Sequence, residues 1–339
     1  MTVRDLYRDV EEDVELNRPA SLRALKKNWR HLAPVLGTMN AARLTSEAIT
    51  GCVRQRKREG AANGTINREL SLLRHVFRVA LRASPPKIQA VPHIVMLRED
   101  NVRQGFVEDA DFARLVDAVG PGEEWLRVFL ELGFTYGWRR GELLSLKVRQ
   151  LNFAAHTIRL EVGTTKNREG REVAMTTNVA ALLALAVAGK SGDDFVLTRP
   201  SGGPVRDFRR SWWNLCVRAG LGKFTCRACG RTVEAGGKCK EKDCGARRPA
   251  YAGLIPHDLR RSAAKALRAA GVAESVIMAA GGWKTPAMFR RYAIVSSADQ
   301  RAAMELLESA RARNANSENS PEIARISPEL EDESPSPLQ

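Results

Sequence analysis

The sequence lacks any apolar segment long enough to cross a membrane. Its longest apolar run, Val179–Gly189, has 11 residues, whereas a membrane-spanning helix needs about 20. We therefore expect this run to form a helix of the protein core, and we expect no membrane partner. The first residues also lack the basic and apolar regions of a signal peptide, so the sequence predicts a cytoplasmic protein.

Aromatic residues are scarce, at 6% of the chain. The hydrophobic content of 44% and the charged content of 27% are nevertheless typical of a soluble globular protein, which excludes a chain that is disordered throughout. The length of 339 residues leaves room for roughly two domains of about 150 residues each. A single short module is thereby excluded.

Acidic residues are too few to balance the basic ones. There are 39 Asp and Glu residues against 54 Lys and Arg residues, which gives a net charge of +15 at pH 7. The stretch Asn314–Gln339 holds six acids and one base, so its net charge is −5 and the preceding residues carry +20. Such an excess favours a polyanionic partner, most often nucleic acid, although a solvated basic surface with no partner is the alternative.

Residues 1 to about 95 are predicted to be helical. In the clearest helix, Thr65–Ala83, apolar residues recur at helical spacing, and we expect the N-cap at its first residue. Arg74, Arg78 and Arg82 are four residues apart and therefore line up, either to bind phosphates or as a solvated basic face. After two prolines, Lys87–Gln104 is predicted to be an extended linker.

A second compact region is predicted from about residue 104 to about residue 310. Helical periodicity at 109–119 and 124–134 is followed by alternating apolar residues at 158–162 and a second short strand at 172–175, which together predict a β-hairpin. From about residue 179 the pattern is again mostly helical. The tail beyond Asn314 is rich in Ser, Pro, Glu and Asn, and we expect it to be disordered.

An insertion at about 222–250 contains most of the cysteines. Four of the six cysteines follow the pattern C-x2-C-x9-C-x4-C, and they are Cys226, Cys229, Cys239 and Cys244. Four thiolates in two close pairs suit tetrahedral zinc, and so short a segment could hardly fold without a metal. Disulfides, which the cytoplasm disfavours, and an iron–sulfur cluster are the alternatives.

The insertion is also basic, with eight Lys and Arg residues against three acids. It could therefore contact DNA, and a contact with another protein is equally open. The other two cysteines, Cys52 and Cys216, lie in apolar helical patterns, so we expect them to be buried and inert.

Five motifs of basic and polar residues follow one another through the second region. They are Tyr136–Glu142, Thr165–Asn167, His257–Arg261, Gly281–Lys284 and Arg290–Tyr292. In order and spacing they resemble the tyrosine recombinase (phage integrase) family. The family pattern is an Arg in G-x-R-x-x-E, a hairpin Lys, H-x-x-R, and a His or Trp nine residues before a Tyr. Further upstream, Arg56–Arg82 is similar to the core-binding domain of these enzymes.

The resemblance covers nearly the whole chain apart from the insertion and the tail. It implies a mainly α fold with a small β-sheet (α+β). A helical SAM-like core-binding domain would occupy residues 1–100, and a catalytic domain of the DNA breaking-rejoining fold would occupy 104–310. The four-cysteine, zinc-ribbon-like insertion at 222–250 would interrupt the catalytic domain, and a disordered acidic tail would cover 314–339. We expect no further arm-binding domain, because the similarity starts near the N-terminus.

The resemblance also implies the chemistry. Tyr292 would attack a DNA phosphodiester, form a 3′-phosphotyrosyl bond and release a 5′-hydroxyl. Arg139 and Arg260 would hold the phosphate, because guanidinium groups stay charged and bind its non-bridging oxygens in pairs. Glu142 would be an ion-pair partner that positions the arginine site, or else an ordinary acid at the start of a helix.

The resemblance also implies that the hairpin loop supplies the proton donor. Lys166 would be the general acid that protonates the 5′-oxygen, because a long flexible amine in a loop can reach a leaving group. Asn167, Arg168 and Arg171 in the same region are further candidates for this role.

Two more residues complete the implied catalytic set. His257 lies three residues before Arg260, so a helical turn puts both on one face, where the imidazole could act as acid or base. Trp283 occupies the position nine residues before Tyr292. An indole N–H can donate one hydrogen bond to a phosphate oxygen but cannot transfer a proton, and a purely structural core Trp is the alternative.

The sequence thus predicts a site-specific DNA recombinase, an integrase or excisionase of a phage or other mobile element. We expect it to bind double-stranded attachment sites as a homotetramer, to be monomeric off DNA, and to be associated with the nucleoid. Catalysis is expected to need no cofactor, and the zinc would be structural. A type IB topoisomerase-like enzyme and a non-catalytic DNA-binding regulator on the same fold are the alternatives.

Overall fold

The computed structural model describes residues 1–99, 105–161, 170–234, 239–240, 244, 249–290 and 297–318. The chain divides into two compact units, Met1–Arg103 and Gln104–Gln339. Helices dominate the described residues, and the strands among them form two small antiparallel sheets. The predicted fold class, mainly α with a small β component, is therefore confirmed.

The described part of the first unit consists of helices joined by short connections. They are α1 (Val3–Asn17), α2 (Pro19–Leu36), a short 3-10 helix (Ala41–Arg43), α3 (Ser46–Arg58) and α4 (Asn63–Arg82). The apolar face of α4 is central to their shared core. Its buried residues recur every three or four positions and include Ile66, Leu70, Leu73, Val76 and Phe77. Burial of this one face is why the segment is a helix.

The start of α4 differs from the sequence prediction. The N-cap is Ala62 rather than Thr65, and the helix begins at Asn63. Gly60 adopts a left-handed φ of 78° and ends α3, so only two residues remain before the next helix. The tight turn at Gly60 therefore decides where α4 begins, ahead of the capping preference of threonine.

Arg74, Arg78 and Arg82 of α4 do not form one continuous basic face. Arg74 is half-buried, and its Nη2 donates to the carbonyl oxygen of Ile94. Arg78 and Arg82 are exposed. The first arginine therefore helps to hold the following segment, whereas the other two stay accessible, either to a phosphate or to solvent.

The segment predicted as a linker packs on the core of the first unit. Its described residues have no regular structure, but Ile88 and Ile94 are each 5% exposed. Asn67 on α4 accepts a hydrogen bond from the Leu97 N–H and donates one to the Leu97 carbonyl, each over 2.8 Å. The described part of Lys87–Gln104 thus lacks regular structure, as expected of an extended linker, but two apolar side chains anchor it to the core.

The second unit is built around α6. Its described helices are α5 (Asp109–Asp117), α6 (Glu124–Tyr136), α7 (Arg140–Leu144), α8 (Thr177–Ala186), α9 (Arg209–Arg218), α10 (Pro256–Ala269), α11 (Glu274–Gly281), α12 (Pro286–Arg290) and α13 (Ser297–Glu318). Helix α6 packs against α5, α8 and α10. Phe129 of α6 lies edge-on to Phe208 and Trp212, with ring centroids 4.8 and 6.1 Å away. This aromatic cluster joins α6 to the start of α9.

A first sheet follows α7. Its strands are β1 (Leu151–Asn152), β2 (Thr157–Leu160) and β3 (Arg171–Ala174), in the antiparallel order β1-β2-β3. Ile158 pairs with Val173 and Leu160 with Arg171. Ile158 and Leu160 are buried whereas Arg159 is exposed, as the alternation in the sequence predicts. The β-hairpin is therefore confirmed, and Val162 lies outside the described residues.

A second sheet borders the cysteine-rich insertion. Its strands are β4 (Gly222–Thr225), β5 (Thr232–Val233) and β6 (Ala250–Gly253), in the order β5-β4-β6. Trp213 of α9 stacks on Tyr251 at 5.4 Å and meets Phe224 edge-on at 6.0 Å. The sheet is thereby packed on α9. Sequence reasoning missed it, because strands this short carry no clear alternation.

Helix α13 extends further than the sequence suggests. It runs to Glu318, four residues past Asn314, where the disordered tail was predicted to begin. That boundary was wrong because extending an existing helix costs little once its nucleus has formed. The remaining tail residues lie outside the described part. Among the described residues, no helix is both long and apolar enough to span a membrane.

Candidate active site and metal centre

Arg139 lies at the start of α7. Gly137 adopts a left-handed φ of 65° and ends α6, so the chain turns directly into α7. The backbone N–H of Arg139 donates to Oε2 of Glu142, and its Nη1 donates to Oε1, each over 2.9 Å. Arg139 Nη2 donates to the carbonyl oxygen of Gly282 over 3.1 Å. One acid, three residues further on, therefore both caps α7 and orients the Arg139 side chain.

Glu142 is shared with a second arginine. Arg171, the first residue of β3, donates from Nη2 to Oε2 of Glu142 over 2.7 Å. Glu142 is only 3% exposed. Its burial disfavours the charged form, but the nearby Arg171 charge and the hydrogen bonds from Arg139 outweigh this effect and lower the pKa of Glu142. The carboxylate is therefore ionised between two guanidinium groups, which makes it an ion-pair partner rather than an ordinary helix-start acid.

Arg260 is held by backbone carbonyl oxygens on both sides of the site, at Gly137 and at Gly281–Gly282. It lies on α10 and is 1% exposed. Its Nη1 donates to the carbonyl oxygens of Gly137 and Gly281, and its Nη2 lies 3.5 Å from that of Gly282. The guanidinium carbon lies 3.8 Å from the centroid of a Trp283 ring. A cation over an aromatic face is attracted by the ring quadrupole, so Trp283 helps to fix this arginine in place.

Two glycines allow this close packing. A Cβ atom on Gly281 would overlap the Trp283 ring, and one on Gly282 would overlap the guanidinium of Arg171. Gly282 also adopts a left-handed φ of 72°, which L side chains rarely take. Trp283 itself is 4% exposed and meets Phe289 of α12 edge-on. The indole is therefore a core residue that also touches the arginine site.

His257 lies in the first turn of α10, one turn before Arg260. The backbone N–H of Ile255 donates to Oδ2 of Asp258 over 2.9 Å, which caps the helix at the point where His257 emerges. His257 is exposed at the surface, yet the surrounding protein partly desolvates its ring. Desolvation first, and then the charge of Arg260, lower the pKa of His257 below its ordinary 6.5. The imidazole is therefore mainly neutral at pH 7.

Several predicted site residues lie outside the described part of the chain. They are Lys166, Asn167, Arg168 and Tyr292. The described chain ends at Glu161 and resumes at Gly170 around the hairpin loop, and α12 ends at Arg290, two residues before the tyrosine. The structure therefore brings together Arg139, His257, Arg260 and Trp283, whereas the positions of Lys166 and Tyr292 stay predictions.

Arg171 is the residue whose role sequence reasoning missed. It was considered only as another candidate for the hairpin proton donor, yet it belongs to the ion triad around Glu142. Its guanidinium also lies 5.5 Å from the centroid of a Trp138 ring. The contact between Arg171 and Glu142 depends on how the sheet packs against α7, which no local pattern in the sequence reports.

The four cysteines of the insertion form a single cluster. The Sγ atoms of Cys226, Cys229, Cys239 and Cys244 all lie within 4.8 Å of one another. Two pairs are closer, Cys226 with Cys244 at 3.2 Å and Cys229 with Cys239 at 3.7 Å. Tetrahedral zinc with Zn–S bonds of about 2.3 Å would separate its sulfurs by about 3.8 Å. The arrangement therefore fits a metal ion held by four thiolates.

The pKa values of the cysteines differ between the cluster and the protein core. A backbone hydrogen bond from Cys229, assisted by the thiol of Cys244, lowers the pKa of Cys226 to about 6. Thiolates are the form that binds metals. Burial instead raises the pKa of Cys52 and that of Cys216 to about 11, so these two are buried thiols, as predicted.

Comparisons with known proteins indicate the family of the chain. A family model described as the Phage integrase family matches residues 106–299. The integrase of Salmonella phage P22 is 25% identical over 248 residues, which are 70% of this chain and 55% of that relative. The chain thus spans about half the length of this relative.

Solved structures are similar in fold at low sequence identity. An integrase of the Tn1549 transposon, solved with a circular intermediate DNA, is 16% identical with a TM-score of 0.69 and covers 91% of this chain and 99% of that one. A lambda integrase dimer bound to a core site is 16% identical with a TM-score of 0.63 and covers 86% and 95%. Because the family match covers more than half of the residues, the chain belongs to the phage integrase family.

Proposed function

We propose that the protein is a site-specific DNA recombinase of the tyrosine type, an integrase or excisionase of a phage or other mobile element. The observation that supports this most is the convergence of two arginines. Arg139 and Arg260 both direct an Nη2 group at the carbonyl oxygen of Gly282, at 3.1 and 3.5 Å. Guanidinium groups this close can bind the two non-bridging oxygens of one phosphate and stabilise the charge that develops there.

In the proposed reaction the Tyr292 hydroxyl attacks the phosphorus of a DNA phosphodiester. The new bond joins the tyrosine oxygen to the 3′-phosphate, and the bond to the 5′-oxygen breaks. Lys166 supplies a proton to that oxygen, which leaves as a 5′-hydroxyl. A 5′-hydroxyl from the partner strand then attacks the phosphotyrosine and restores the backbone, so no ATP is needed and the side chains do the chemistry without a cofactor.

His257 and Trp283 assist in this scheme. A neutral imidazole at pH 7 can accept the proton of the tyrosine or share it with the phosphate. The Trp283 indole supports Arg260 through its ring face. Glu142 keeps Arg139 oriented, and because it is shared by two arginines the local charge remains positive.

The solved relatives indicate the partners. The Tn1549 integrase was solved with a circular intermediate DNA, and lambda integrase was solved as a tetramer bound to a Holliday junction. We propose that this chain likewise binds double-stranded attachment sites, assembles as a homotetramer on them, is monomeric off DNA, and is associated with the nucleoid. The first unit would be the core-binding domain that contacts DNA.

We also propose that the four-cysteine cluster holds zinc with a structural role. Zinc accepts four thiolates in a tetrahedron and has no redox chemistry, which suits a site that is closed by protein ligands. The metal would stabilise the short sheet formed by β4, β5 and β6. Elemental analysis of protein purified without chelator should give about one zinc per chain, and a zinc content near zero would contradict this assignment.

The proposed activity can be tested with a nicked suicide substrate that carries the attachment site from the repeats flanking the gene. The wild-type protein should form a covalent complex with DNA, and Tyr292→Phe should bind the same DNA without forming one. Tyr7→Phe, a matched change in the first unit, should form the complex normally. Wild-type protein that binds the site but forms no covalent complex would overturn the proposal, and relaxation of DNA without exchange between two sites would favour a topoisomerase.

A further inference from the structure

A pocket of about 240 Å³ lies beside the arginine site. It is bounded by residues that precede or begin three helices, α7, α9 and α10. His257 forms part of its wall, and Arg140, the neighbour of Arg139, forms another part. The pocket therefore lies near the position proposed for the cleaved phosphate, and the catalytic scheme assigns it no role.

Aromatic rings form the floor of the pocket. Trp138, Phe208 and Trp212 are at most 3% exposed, so packing fixes their positions. The indole N–H groups of Trp138 and Trp212 donate to backbone carbonyl oxygens over 2.9 and 2.8 Å. Because these N–H groups are engaged in the protein, the floor offers ring surface rather than hydrogen bonds. A fourth ring, Trp213, is half-buried at the side.

Two cationic side chains border the pocket. Arg140 and Arg209 are both exposed, and His257 lies on the same wall as the arginine site. Arg209 forms an exposed ion pair with Asp207 over 2.6 Å. Exposed pairs of this kind contribute little, so the Arg209 guanidinium can exchange its carboxylate for a phosphate oxygen. The rim thus suits a ligand with negative charge beside an apolar or aromatic body.

The size of the pocket narrows the choice of ligand. Sites for whole small molecules typically measure about 300–1,000 Å³, and this pocket is smaller at about 240 Å³. A single planar heterocycle fits this description. Aromatic side chains next to basic residues are the arrangement by which proteins hold unpaired bases of nucleic acids, and stacking of this kind accepts any base.

We propose that this pocket holds one unstacked nucleobase from a nucleotide next to the cleaved phosphate. The proposal rests on the recombinase function proposed above. His257 belongs to the pocket wall and lies one helical turn from Arg260, so a base in the pocket would be attached to a sugar near the phosphate bound by the arginines. Strand exchange requires bases beside the break to leave their old partners before they pair with new ones. A pocket for one such base would hold the strand end during that interval.

The test combines a pocket-filling variant with DNA that lacks single bases. Ile255 lines the pocket and is half-buried, and Ile255→Phe should occupy the space intended for the base. The measured quantity is the rate at which the cleaved strand joins an incoming 5′-hydroxyl strand, on intact DNA and on DNA with an abasic site at each position flanking the break. Leu185→Phe, which adds similar bulk at an exposed site on α8, is the matched control.

We expect Ile255→Phe to slow joining about tenfold on intact DNA, which is the scale of one lost base-stacking contact. An abasic site at one flanking position should slow the wild-type protein by a similar factor. The variant should show no further loss on that abasic DNA, because the same contact is already absent. Trp213→Ala, which removes the side of the pocket instead of filling it, should show the same coupling, provided that its melting temperature stays near that of the wild type.

Other results would overturn the proposal. If the losses from the variants and from the abasic sites multiply at every position, the pocket holds no base. If the defect of Ile255→Phe persists on all abasic substrates and changes with protein concentration, the occupant is a side chain of another copy of the chain. The wild-type protein is assayed first for the covalent complex. Failure at that step rejects the recombinase function and the pocket with it, whereas a normal complex without coupling rejects the pocket alone.

Discussion

The two units each contain a partly buried network of arginine and glutamate, but the networks have opposite composition. In the first unit, Arg56 donates to Glu69 over 3.0 and 2.9 Å and also pairs with Glu59, so one arginine serves two carboxylates. In the second unit, Glu142 serves two arginines, Arg139 and Arg171. Counted over these three groups in each network, the net charge of the first network is negative and that of the second is positive.

This difference separates a structural network from one suited to chemistry. All the guanidinium nitrogens of Arg56 face carboxylates, so the charge of this arginine is satisfied within the fold. Glu142 leaves its pair of arginines with an excess positive charge, beside the carbonyl oxygens that hold Arg260. Positive charge that the fold does not neutralise, close to the surface, can bind an anion.

The largest effect on stability is expected in the network of the first unit. Arg56→Met would leave Glu69, which is 1% exposed, buried without its cation. We expect the free energy of unfolding of the first unit to fall by about 3–5 kcal/mol, measured by urea denaturation. Arg58→Met, on the exposed side of the same helix, should change it by less than about 0.5 kcal/mol. A loss below about 1 kcal/mol for Arg56→Met would show that the pair contributes little to stability.

In the second unit the largest effect should fall on activity. Arg260→Lys keeps a positive charge but loses the paired N–H groups and the planar contact with Trp283. Cleavage of the suicide substrate should slow by about 100- to 1,000-fold, while DNA binding is retained. Arg268→Lys, an exposed position on the same helix, should cleave at the wild-type rate. Equal losses in binding and cleavage would contradict a role for Arg260 in the transition state.

Glu142→Gln tests the network of the second unit through the pH dependence of stability. The folded pKa of Glu142 is lowered, so its ionised form stabilises the fold above its unfolded pKa of about 4.3, and this stabilisation is lost as the pH falls through the folded value. At pH 7 the variant should be less stable by about 1.5–3 kcal/mol, and the two proteins should converge at low pH. Urea midpoints measured from pH 7 to pH 3 test this, and a constant difference would contradict it.

The smallest effect at pH 7 should come from His257. Its pKa is lowered below the ordinary 6.5, so the neutral form dominates at pH 7 and the imidazole is half-protonated only at a pH below 6.5. In kcat/KM for cleavage the wild-type protein should lose activity below that pH, by up to about tenfold per pH unit. His257→Gln should remove this acid limb, whereas His31→Gln in the first unit should keep it. A limb that persists in His257→Gln would assign the titration to another group.

Much of this arrangement could be predicted from the sequence, since it rests on local spacing. The H-x-x-R motif places His257 and Arg260 one helical turn apart, and the structure agrees. The hairpin strands follow from alternating residues, and the gathering of four cysteines follows from their spacing. The closest sulfurs, however, join the two sequence pairs, Cys226 with Cys244 and Cys229 with Cys239. The family resemblance was confirmed by the family match.

The remaining features depend on contacts between distant segments. Arg171 reaches Glu142 across 29 positions, and Arg56 reaches Glu69 across 13. No periodicity reports such pairs, because they depend on how separate elements pack. The predicted start of α4 was also wrong, because the two-residue connection after Gly60 overrides the capping preference of Thr65.

The second sheet has a consequence for how the insertion is attached. Thr225 of β4 lies directly opposite Ala250 of β6, and paired residues in antiparallel strands have Cα atoms about 4.5–5.5 Å apart. The chain therefore leaves the catalytic fold and returns to it at nearly the same point. A segment with adjoining ends can be exchanged for a tight turn without shifting the register of β4 and β6. The cysteine-rich element is thus a module with a single point of attachment, and we expect its replacement by a tight turn to leave the helix that carries His257 and Arg260 in place.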